Sequence, residues 1–247
     1  MTQTKFAHVT PATIRHALCI DFEGQTDKPP VLLGSARRNG TGGYLPVWQC
    51  ITDPTFEPLA ARGDMEVLDL HAAVLRILQR AEKNDRQIVA WSNHELDIVR
   101  AYCPDLIERF ESRYVNARTF AEYWRNKCHA GDRPDVATLA NYLQLIGHEV
   151  PVEYGPGKVG ETIRRIRKSL EKGDGVAGVN ADQLRRWEAL RQHNRHDCIG
   201  MRKVCLRAAD EIEAFQAMPL RSVRTPTERR RRRRRRATSD RTTSSPV

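Results

Sequence analysis

The 247 residues include 41 Lys+Arg and 31 Asp+Glu, a formal charge of +10, with 40% hydrophobic and 6% aromatic residues. That suffices for one domain with appendages, and no run approaches the ~20 apolar residues of a membrane span. The charge is unevenly placed: residues 221–247 hold eleven arginines against Glu228 and Asp240, a net of +9, while residues 1–220 hold 30 basic and 29 acidic residues. A body this neutral can hold an acidic site without a large opposing field. The six cysteines form no C-x-x-C pair and the start lacks the apolar run of a signal peptide. Free thiols in a reducing cytoplasm are therefore expected.

In chain order, residues 1–14 read as a loose lead-in to a domain spanning 15–217. His16–Gly24, Pro30–Ser35 and Tyr44–Thr52 are short apolar runs separated by GQTDKP and RRNGTGG, which suggests three strands in an antiparallel meander. Met65, Leu68, Leu70, Ala73, Val74, Ile77 and Leu78 give the stripe of a helix over 64–83. Gln87–Trp91 reads as a short buried strand, 95–113 as helix and Tyr114–Ala117 as another strand. Residues 118–182 form a variable, mainly helical segment, with helices expected at Ala121–Lys127, Asp135–Leu145 and Glu161–Lys172. A long last helix runs over 181–217. The pattern βββαβαβ followed by helices is an α/β, ribonuclease-H-like order: a meander continued by parallel strands and flanked by helices.

The strand ALCIDFEG carries the first chemical signal. Residues two apart share a face, so Asp21 and Glu23 project together while Leu18, Ile20 and Phe22 face the other way. Paired carboxylates suit Mg²⁺ or Mn²⁺; the bland alternative is an edge strand with two solvated acids. A third acid comes from WSNHELD. Glu95 lies on the apolar stripe with Val99, Tyr102, Cys103, Leu106 and Phe110, whereas Asp97 aligns with Arg100, Pro104 and Glu108 on a polar face. A carboxylate on a buried stripe needs a partner, which favours Glu95 over Asp97, although either acid could simply sit at a helix start favoured by the dipole. In the last helix Asn194 and Asp197 interrupt a stripe of Trp187, Leu190, Met201, Val204, Ala208 and Ile212. His193 stands one turn before Asp197, open to a functional role or a structural hydrogen bond. His196 falls with Gly200, Lys203 and Arg207 on the outer face and reads as solvated.

Asp21-x-Glu23, a mid-chain acid after a short strand and HNRHD at 193–197 together resemble the DEDD (DnaQ-like) exonuclease superfamily over roughly residues 15–212. The likeness is closest to a branch with glutamate in the second motif and Y-N-x-x-D in the third; His193 stands where that branch has tyrosine. The resemblance implies 3′–5′ exonuclease chemistry with two Mg²⁺ or Mn²⁺ ions. Asp21, Glu23, Glu95 and Asp197 would be the metal ligands, and His193 would orient or deprotonate water.

After Pro219 the composition collapses to Arg, Ser, Thr and Pro, so residues 218–247 are expected to be a disordered tail. Arg229, Arg230, Arg231, Arg232, Arg233, Arg234, Arg235 and Arg236 are consecutive, which points to salt-sensitive attraction to phosphate backbones of DNA or RNA. A localisation signal or a protein-binding tail are the rivals. Arg164, Arg165, Arg167 and Lys168 could add a basic face, or be a solvated helix surface. Three functions compete: a metal-dependent nuclease, a nuclease-like module that binds nucleic acid or protein without cutting, and a helical scaffold whose acids are incidental. A cytoplasmic protein with no membrane partner is expected, with association with the nucleoid left open.

Overall fold

Leu18–Glu23 form strand β1, in which every residue except Asp21 is fully buried, as in a central strand. A computed structural model describes residues 9–37, 47–129, 137–149 and 159–218. β1 pairs antiparallel with β2 (Leu32–Ala36), and β2 antiparallel with β3 (Trp48–Ile51). β4 (Glu66–Val67) lies parallel to β3 at the edge. On the other flank β1 pairs parallel with β5 (Ile88–Ala90), and β5 parallel with β6 (Tyr114–Asn116). The sheet order is β4-β3-β2-β1-β5-β6. This is the mixed, helix-flanked, ribonuclease-H-like arrangement expected from the sequence, with one extra edge strand.

The helices are α1 (Pro11–His16), α2 (Leu70–Lys83), α3 (His94–Tyr102), α4 (Ile107–Glu111), α5 (Ala117–Cys128), α6 (Leu139–Leu145), α7 (Val159–Ser169) and α8 (Ala181–Ala217). Three boundaries differ from expectation for identifiable reasons. The helix expected from residue 64 starts at Leu70, because Asp69 caps it by accepting from the Ala72 amide at 2.7 Å, while Asp64 takes a left-handed φ of 49°. A 3-10 helix, Pro54–Arg62, fills the preceding stretch. The helix expected over 95–113 breaks into α3 and α4 at Pro104, which has no amide to donate and pushes Cys103 out of helical geometry. Within the expected lead-in, Thr10 caps α1, which buries Ile14.

β1 divides the core. Leu18, Ile20 and Phe22 pack with Leu70, Ala73, Val74, Ile77 and Leu78 of α2. Cys19, on the opposite face, belongs to the cluster of Trp124, Met201, Val204, Cys205 and Ala208 from α5 and α8. Each fully buried large apolar side chain contributes about 1.5–3 kcal/mol, so both faces are firmly held. All six cysteines are free thiols. Among the described residues, no helix is long and apolar enough to cross a membrane. The chain divides into two units, 1–213 and 214–247, and the second is described only to Met218. The arginine run 229–236 lies outside the described residues.

Candidate active site

β1 and β5 run parallel, so both end at the same edge of the sheet, with antiparallel β2 on the other side of β1. A crevice outside the carboxyl ends of strands at such a change of direction is where open α/β sheets place ligands. Asp21 and Glu23 stand at that end of β1. The loop after β5 leads into α3 and delivers Glu95 in the helix's first turn. The loop is tied to the neighbouring strand and helix through backbone and side chain: the Tyr114 hydroxyl donates to Ser92 O, the Arg118 amide to Trp91 O at 3.0 Å, and Asn116 Nδ2 to the Asn93 side-chain Oδ1 at 2.7 Å. α8 crosses the same face and supplies His193, Asn194 and Asp197.

The strand register explains how α8 approaches so closely. Asp21, Gly34 and Gln49 are direct neighbours across β1, β2 and β3, and the middle position has no side chain. Asn194, fully buried, occupies that space. A Cβ on Gly34 would lie 2.1 Å from Asn194 Oδ1. Asn194 Nδ2 donates to Asp21 Oδ2 at 2.9 Å and to Asp21 O at 3.0 Å, while its Oδ1 accepts from Gln49 Nε2 at 3.0 Å. Gln49 Nε2 also donates to Arg191 O at 2.8 Å. The amide thus has its orientation fixed from both sides and fixes Asp21 in turn.

The four acids influence one another. Asp21 is pushed well above the usual carboxylate range, first by burial and then by Glu23, Asp197 and Glu95, with Asn194 pulling back. Burial followed by the Asp197 charge pushes Glu23 up to about 8. Burial pushes Glu95 to about 7, against the pull of the Glu95, Phe22 and Ser92 amides. Glu95 Oε2 is buried without a hydrogen-bond partner. Among the described residues no lysine or arginine pairs with any of the four. Only histidines come within range: His193 Nε2 is 3.9 Å from Glu23 Oε1 and 3.5 Å from Asp197 Oδ2, and His196 Nδ1 is 3.7 Å from Asp197 Oδ1. Asp97 lies outside the group, exposed and paired with Arg100 at 2.6 Å.

An all-oxygen donor set, with one buried oxygen lacking a partner and no competing cationic side chain, has the chemistry of a hard divalent-cation site. Its spacing is not yet that of a closed site: among the described residues, no group of three or more His, Cys, Asp or Glu side chains is arranged to hold a metal ion as it stands.

Asp21, Glu23, Glu95, Asp197 and His193 are all brought to this end of the sheet. Two other sequence expectations are corrected. His196 is not solvated: it stacks on His148 at 5.7 Å. The outer face of α8 is covered there by α6, whose Leu143 comes within 2.9 Å of where a Gly200 Cβ would be. Arg167 is not part of a solvated basic face, because its buried guanidinium pairs with Asp53 at 2.7 Å and lies over Phe56. Gln49 and Gly34 were not singled out from the sequence. Asn194 stood out only as an interruption of an apolar stripe, and that interruption was the usable signal. Comparisons with protein-family models, curated proteins and solved structures gave no match.

Proposed function

We propose that this protein is a divalent-metal-dependent nuclease that hydrolyses phosphodiester bonds of DNA or RNA, as a 3′–5′ exonuclease of the DEDD kind. The observation that carries this reading is the meeting of four carboxyls from β1, α3 and α8 with, among the described residues, no lysine or arginine paired to them. Asp21, Glu23, Glu95 and Asp197 would hold two Mg²⁺ or Mn²⁺ ions. When bound, these would supply Lewis-acid stabilisation of the attacking and leaving oxygens. Asn194 keeps the Asp21 carboxyl turned toward its partners through the 2.9 Å bond. His193 presents Nε2 to Glu23 and Asp197, where it can take a proton from an attacking water between them. The arginine run 229–236 would hold the nucleic acid by its phosphates. Six free thiols fit a reducing compartment such as the cytoplasm.

End-labelled DNA and RNA ladders, incubated with Mg²⁺, Mn²⁺ or chelator, test the reading. A ladder that shortens from one end with metal, and is untouched by Asp21→Ala protein of native circular dichroism, is expected. Equal cleavage by that variant would overturn the assignment. The open spacing of the acids favours a second reading, a nuclease-like module that binds nucleic acid without cutting. Saturable oligonucleotide binding with no cleavage in either metal would support it.

A further inference from the structure

On the other side of the sheet from the carboxyls, α2 carries Arg76, Gln79, Arg80 and Lys83 and ends at its C-cap Asn84. These positions recur at three- and four-residue intervals and so form one helix face. Arg37, just beyond the end of β2, comes over from the sheet to meet them. The six side chains enclose a solvent-open recess of about 420 Å³. Ala36, next to Arg37, pairs with Cys19 near the start of β1, whereas Glu23 is at its far end. The recess and the acids therefore lie on opposite faces, and the Ala36 end of β2 meets β1 about 13 Å along the strand from Glu23, at ~3.3 Å per residue.

We infer that this recess binds a phosphate group, presented by a nucleic acid strand or by a free nucleotide. The residues that line it are all of polar or charged type, and four of them are cations. Glu66 pairs with Arg76 while accepting from Trp48 Nε1 at 2.8 Å, and its charge also acts on Arg80. Among the described residues Arg37, Arg80 and Lys83 pair with no carboxylate. The Arg80 guanidinium carbon lies over the Trp48 ring, 4.6 Å from its centroid, and that of Arg76 lies 5.8 Å from the same centroid. A contact with the ring face uses none of the guanidinium N–H groups as donors to oxygen, so they stay available for an oxygen ligand. Burial, and then repulsion from Arg37 and Arg76, lower the Arg80 pKa, with Glu66 and Cys50 pulling the other way. A bound anion would relieve that repulsion. Donors that converge from both β2 and α2 suit the several oxygens of a phosphate better than the two of a carboxylate. The helix dipole accounts for cations near the end of α2, but it does not account for Arg37 or for the recess.

The site does not depend on the acids cutting anything, and its test is kept separate from cleavage. Full-length protein is titrated, in chelator, with inorganic phosphate, AMP and a single-stranded oligonucleotide. The readout is the indole N–H resonance of Trp48, assigned by its disappearance in Trp48→Phe. A saturable shift of this resonance is expected, weakened at least ~tenfold in Arg37→Gln/Lys83→Gln protein, where two charge-assisted contacts are removed. Both substituted positions are at the surface, and an unchanged melting temperature would confirm an intact fold. Arg80→Lys, which keeps the charge and loses the stacked fork, should also weaken the shift. A response to the oligonucleotide alone identifies a strand phosphate; a response to phosphate or AMP as well identifies a free nucleotide. No saturable Trp48 shift with any of the three, or equal shifts in wild type and both variants, would overturn the inference. Cleavage that fails while the Trp48 shift persists would count against the nuclease reading alone.

Discussion

The two faces of β1 are covered by two helices that do opposite things. α2 buries an unbroken apolar set against Leu18, Ile20 and Phe22. α8 covers the other face with a stripe in which Asn194 and Asp197 replace apolar residues, opposite Asp21 and Glu23. One face gains stability from burial; the other spends part of that gain on bringing like charges together. The same six-residue strand therefore holds positions where truncation should unfold the protein beside positions where neutralisation should stabilise it.

The sharpest contrast is between adjacent residues. Asp21→Asn is expected to reduce cleavage to background while raising the melting temperature of metal-free protein, since it removes a carboxyl that burial and its neighbours oppose ionising. A variant that kept its turnover would break the contrast. Ile20→Ala, at a fully buried position, should cost about 2–5 kcal/mol with turnover per folded molecule retained; denaturant titration with active-site normalisation checks both. Gly34→Ala tests whether the contact between the acidic face and α8 is as tight as the register implies. Displacing Asn194 should cost about 1–3 kcal/mol and lower cleavage roughly 10–100-fold, as loss of a residue that orients a ligand does.

The pH dependence sharpens the comparison further. Glu23 rises from 4.5 to about 8 and Glu95 from 4.5 to about 7 on folding. Raised acids bind protons more tightly in the folded state, so their contribution to stability is full below pH 4.5 and is lost as pH climbs through the folded values. Metal-free protein should melt at a lower temperature at pH 8.5 than at pH 5.5, with these two acids favouring the lower pH. Mn²⁺ should raise the melting temperature more at the higher pH, because a cation binds the deprotonated group. Equal Mn²⁺ effects at both pH values would argue that the acids do not share a cation. The smallest effect is expected at Asp97, exposed and outside the group. Asp97→Ala should change stability by less than about 0.5 kcal/mol and leave cleavage unaltered.

Much of this was legible in the sequence where periodicity was strong. The alternation of β1, the stripe of α2 and the full span of α8 all carry enough residues to reveal their period, and the same stripes separated Glu95 from Asp97. Features resting on a single local event were not legible. β4 is two residues long, too short for any alternation. The start of α2 depends on which of two nearby aspartates caps it. The environment of His196 is set by α6, some fifty residues away in sequence, and the burial of Arg167 by an ion pair with Asp53 over a hundred residues away. Gly34 reads as an ordinary strand glycine until the register places Asn194 above it.

The bonds between Asn194 and Asp21 span 173 positions of the chain. A ribosome must therefore complete almost the whole domain before the first-made carboxyls meet the last. Until α8 docks, a growing chain has only part of the acid group, so under this reading any capacity to cut RNA would be withheld from a protein still being made beside its own messenger.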